Sequence, residues 1–115
     1  MASEYSRNLD SLFQQRIQIC KKEEDIEEHC IAIQQTKLKI RKLETELVRM
    51  EALNNTYNHC FLPPAEKMRL LKSVELDMRK LDCEREALKA RLQCEDFHLV
   101  ELKSKVEELK KQLGS

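Results

Sequence analysis

Five cysteines and three histidines are the residues of this 115-residue chain best suited to chemistry, and His29-Cys30 and His59-Cys60 stand as adjacent pairs. An imidazole beside a thiolate can bind zinc or make an activated nucleophile. Neighbouring residues on a helix point about 100° apart, however, and cannot both grip one ion without a break in the helix. Cys20, Cys30, Cys60, Cys83 and Cys94 include no Cys-x-x-Cys pair, so the spacing of a zinc knuckle is missing. The only glycine is Gly114, which leaves no glycine-rich loop to cradle a phosphate. No metal and no cofactor is expected. A Cys–His nucleophile would also need a pocket and an orienting group. The carboxylate runs Glu23-Glu24-Asp25 and Glu27-Glu28 read as solvated charge, and His98 as a half-exposed neighbour of a buried seam. No catalytic residue is assigned, and the expected protein is not an enzyme.

Composition explains why a pocket is not expected. Charged residues make up 37% of the chain and aromatics 4%, with one Gly, two Pro and no Trp. So few turn-formers imply few, long elements, and so few aromatics imply a buried seam in place of a thick core. The 21 basic and 21 acidic residues cancel and alternate along the chain. That gives no net field for nucleic acid or an anionic membrane. No apolar run reaches the roughly 20 residues that span a bilayer, and no signal-peptide order opens the chain. An odd, scattered set of cysteines argues against a disulfide framework and for a reducing compartment, cytoplasmic or nuclear.

The clearest pattern runs from Leu71 to Leu113. One column at sevens holds Leu71, Met78, Arg85, Leu92, Leu99, Val106 and Leu113; its partner, three residues on, holds Val74, Leu81, Leu88, Glu95, Leu102 and Leu109. Eleven of these thirteen positions are apolar, which marks a helix that buries a narrow stripe against another helix. Arg85 and Glu95 interrupt the stripe. Single polar residues of this kind set register and orientation, so these two are expected to specify pairing.

The first half is less regular. Leu12, Ile19, Ile26, Ile33, Ile40 and Leu47 form one apolar column, but the partner column three residues earlier reads Leu9, Arg16, Glu23, Cys30, Lys37 and Glu44. Cys30 is expected there as a seam residue, with Cys83 and Cys94 on an outer face. Phe13, Ile17, Cys20, Ile31 and Leu38 lie beside the column and broaden it, as in a helix that touches more than one neighbour. After Ile40 the spacing continues through Leu43, Leu47, Met50, Asn54, Tyr57 and Phe61. Either a stammer overwinds the coil at Lys37-Ile40-Leu43, or Lys37 is not a seam residue and the buried face rotates.

Pro63-Pro64 is the one break. Pro63 disfavours helix at Leu62, and Pro64 suits the first turn of a new helix. The expected organisation is a leader over 1–5, with Ser3 or Ser6 as cap, then a helix over 6–60 about 80 Å long. A turn over 61–65 and a second helix over 66–113 follow. Residues 114–115 are expected to be a terminal remnant on a piece of a longer coiled coil. A short connection between helices of similar length suits an antiparallel hairpin. It would set Leu71 near Leu53–Tyr57 and Leu113 near Leu12-Phe13, and two hairpins would form a dimeric bundle. The rival is an open parallel dimer hinged at the prolines.

The fold class expected is therefore all-α with coiled-coil packing, and the function that of an interaction module. Its partners would be a second copy of itself and another intracellular protein. Phe61 and Leu62 either plug the hairpin end or form a docking knob. The alternative is an accessory subunit contacting nucleic acid through the Lys37–Arg49 face.

Overall fold

The computed structural model describes residues 2–114, with side chains from Glu4 onward. Two helices account for nearly all of them: α1, Ala2–His59, and α2, Pro64–Gly114. No strand occurs among the described residues. The chain is a helical hairpin, so the open parallel arrangement is not the one adopted within it. Both helices are unbroken because neither interior contains a proline or glycine. Helix α1 begins at Ala2, earlier than expected: Ser6 lies inside it and most of the supposed leader is helical. Met1, Ser115 and a capping role for the Ser3 side chain lie outside the described residues.

Local chemistry closes the turn. The Pro63 carbonyl accepts the Lys67 backbone N–H at 2.9 Å, which is the first bond of α2. Pro64 therefore occupies the first helical position, where its missing N–H costs nothing. The Lys67 ammonium reaches back and donates to the Asn58 carbonyl at 2.7 Å. That carbonyl belongs to the last turn of α1, where no N–H within the helix is available to it.

The chain forms two compact units. The unit Gln35–Gln93 contains the turn. Thr36, Ile40, Leu47 and Val74 are buried in it, with Leu43, Met50, Tyr57, Leu71, Met78, Leu81 and Leu88 half-buried. Ile40 and Arg41 share a shallow groove with Lys89 and Leu92, so the two helices run antiparallel. Leu53 and Leu70 are also half-buried, widening the seam near the turn.

The other unit is Met1–Gln34 with Cys94–Ser115. Ile19, Ile33 and Val106 are buried in it, while Ile26, Leu99, Leu102 and Leu109 are half-buried. The Lys110 ammonium lies 3.4 Å from the Glu23 carboxylate, and His29 lines one groove with Leu102. With Lys110 level with Glu23, Leu113 lies one turn further along, close to the level of Ile19. The expected pairing of Leu113 with Leu12-Phe13 is corrected by about two turns. Leu12 sits beyond the facing turns of α2 and is 46% exposed, so it is not a buried seam residue within the chain.

Burial also corrects the register of α1. The supposed partner column of Leu9, Arg16, Glu23, Cys30, Lys37 and Glu44 is exposed throughout. The buried partner column lies three residues after the isoleucines: Gln15, Lys22, His29, Thr36, Leu43, Met50 and Tyr57. Leu43, Met50 and Tyr57 continue the same repeat, so neither a stammer nor a rotating face is required. Cys30 is not a seam residue.

Candidate interaction surface

With the α1 seam assigned, the leftover apolar residues acquire a place. Phe13, Cys20, Ile31, Leu38 and Val48 lie on the side of the helix away from the seam, with Glu24, Glu27, Gln34, Arg41 and Thr45 between them, and Ile17 is half-buried at its edge. Phe13 is 64% exposed and Ile31 59%, and Leu38 and Val48 are equally open. Phe13, Ile17 and Cys20 form the apolar floor of a shallow groove edged by Arg16, Lys21 and Glu24. The outward side of α1 thus exposes four large apolar residues among charged ones. The outward side of α2 carries a comparable set, Leu76, Phe97 and Val100.

The turn presents a different surface. Phe61 is fully exposed, at 107% of its reference area, whereas Leu62 is half-buried. Phe61 therefore does not plug the hairpin, and of the two only Leu62 is partly covered. Met68 is exposed nearby in sequence.

The residues singled out for chemistry are placed as follows. Cys20, Cys30, Cys60, Cys83 and Cys94 are all free thiols on the surface. Among the described residues no group of three or more His, Cys, Asp or Glu is placed to hold a metal ion. His29 and His98 share an open groove with Glu101, Leu102 and Lys105. The His98 Nδ1 stands 3.8 Å from Glu101 Oε2. That groove is open, and no cysteine lines it.

Arg85 and Glu95 both lie on the half-buried face of α2, each in a different unit. The Arg85 guanidinium is held by its own helix: Nη2 donates to Asp82 and Nε lies 3.6 Å from Glu86. Its Nε is buried without a hydrogen bond, so the layer tolerates this cation by local pairing alone.

The basic residues from Lys37 to Arg49 do not form a strip. Lys37 and Lys89 edge the groove beside Ile40, whereas Lys42 lies on another side of the helix. Arg49 is committed to Glu46 through a two-point bond, with Nε at 3.1 Å from Oε2 and Nη2 also donating. The guanidinium holds the Glu46 carboxyl below its ordinary pKa, and the carboxylate raises that of Arg49. Among the described residues no helix is long and apolar enough to cross a membrane. No protein family, curated protein or solved structure matches the chain.

Proposed function

We propose that the chain is a non-enzymatic interaction module that self-associates through coiled-coil surfaces and serves as a scaffold for another intracellular protein. The observation that supports this reading is the set of large apolar residues left exposed on the outward side of α1: Phe13, Ile31, Leu38 and Val48. Large exposed apolar residues lose water contact when another helix covers them, at roughly 25 cal/mol per Å² of apolar area. A helix that merely braced its hairpin partner would have no need of them. The charged residues between them then select what docks. The five exposed thiols fit a reducing compartment, cytoplasm or nucleus.

Sedimentation equilibrium on the intact chain tests the first half of this reading. The expected result is a mass of two chains that falls toward one on dilution. A single-chain mass at every concentration overturns self-association. For recruitment, Phe61→Ser with Leu62→Ser tests the turn against the outward side of α1. Unchanged helicity with loss of a bound protein would assign the turn to that role, and loss of thermal stability would assign Leu62 to the hairpin end.

A further inference from the structure

In the unit Met1–Gln34 with Cys94–Ser115, exposed large apolar residues crowd into the opening turns of α1. Tyr5 is 69% exposed and Leu9 50%, with Leu12 and Phe13 also open beside them. Tyr5 and Leu12 stand at sevens with Ile19, so they continue the isoleucine column beyond the turns that α2 faces. Every residue from Glu4 to Gln14 is exposed, whereas Ile19 is buried. Leu9 and Arg16 supply a second column, and the steps from Tyr5 through Leu9 and Leu12 to Arg16 are those of a coiled-coil seam. Glu4, Arg7 and Asp10 fall on other sides of the helix, so Arg16 is the one charge on this face. A face cleared of charge in this way has the composition of an interface centre.

The face is complementary to itself when reversed. Laid antiparallel, Leu9 of each copy meets Leu12 of the other, so the leucine layer occurs twice. Tyr5 then meets Arg16, whose stem and guanidinium can lie over the ring. On the flank Asn8 comes beside Gln15, an amide pair with no charge to desolvate. Laid parallel, the helices instead set Arg16 against Arg16. They would also run on together into the turns where Ile19 is already covered. Antiparallel copies overlap from Tyr5 to Arg16 and part before those turns.

We propose that the opening turns of α1, Tyr5 to Arg16, dock antiparallel on the same turns of a second copy. This rests on the self-association proposed above and assigns its surface and direction. The overlap is roughly 17 Å long. It covers less than the about 800 Å² per partner of a standard interface, so the dimer forms and dissociates with concentration.

Sedimentation equilibrium compares the intact chain with Leu9→Glu, Leu12→Glu and Ile31→Glu, with circular dichroism confirming equal helicity. Leu9 and Leu12 each enter the dimer twice, so either change should weaken it roughly tenfold or more. Ile31→Glu, exposed in the same unit but outside the overlap, should leave it within about twofold. For direction, the five exposed cysteines are replaced by Ser, and chains carrying Asn8→Cys or Gln15→Cys are oxidised with copper-phenanthroline, separately and mixed. The mixture should link faster than either chain alone. A dimer indifferent to Leu9→Glu and Leu12→Glu overturns this surface while leaving self-association standing. Faster linking in the separate chains than in the mixture overturns the direction. A chain that is monomeric at all concentrations overturns both proposals and leaves the face to a helix of another protein.

Discussion

The two helices use their apolar residues in different ways. In α2, Leu, Val and Met fill eleven of thirteen seam positions, and Leu76, Phe97 and Val100 stand outward. In α1 the isoleucine column is matched by Gln15, Lys22, His29 and Thr36 in one direction and by Leu43, Met50 and Tyr57 in the other. Large apolar residues stand instead on the outward side, as Phe13 and Ile31. A helix with one neighbour concentrates its apolar side chains on one stripe. One that must also meet something else divides them, and its grip on the first neighbour weakens accordingly.

The contrast between the two parts of the α1 seam should be measurable. Leu47→Ala, where the facing column is apolar, should lower the unfolding free energy by about 2–4 kcal/mol in chemical denaturation. Ile19→Ala, bordered by Gln15 and Lys22, should cost roughly half as much, because part of the surrounding surface is already polar and wet. Equal losses would mean that the polar column does not loosen the packing.

The converse change sharpens the comparison. Replacing Lys22 and His29 together by Leu should stabilise the chain by about 1 kcal/mol per site, and slow amide exchange within residues 15–34. At the turn, Lys67→Met removes the bond to the Asn58 carbonyl and should cost about 1 kcal/mol, with amides near His59 exchanging faster.

The smallest effect concerns Glu46 and Arg49. Because the folded carboxyl is held low, its contribution is present above the ordinary glutamate range and fades as pH falls through the lowered value. In a carbon-detected titration Glu46 should titrate below the ordinary glutamate value. Arg49→Ala should return it to that value.

The register of α2 was legible because both of its columns are apolar, so only one pairing of columns is possible. In α1 the isoleucines identified one column and left two candidates for the other. Leu9, Arg16, Glu23, Cys30, Lys37 and Glu44 look no worse on composition than Gln15, Lys22, His29 and Thr36. The deciding signal lay downstream: Leu43, Met50 and Tyr57, stepped back by sevens, arrive at Thr36, His29, Lys22 and Gln15. Reading these as a change of phase hid the continuity. The outward apolar residues were legible only in fragments for the same reason, since Phe13, Ile17 and Ile31 look like a widened seam until the seam itself is located. Phe61 could not be assigned from its type and neighbours, because plug and knob require the same residue; only its exposure separates them.

The link between Lys67 and Asn58 has a kinetic consequence. It spans nine residues, so the first contact between the arms requires closure of only a small loop, and zippering outward adds each later layer at little further entropic cost. Cutting the chain between Leu62 and Pro63 would abolish that advantage. The severed arms would then have to find one another by diffusion, and reassembly would change from a unimolecular rate to one that scales with concentration.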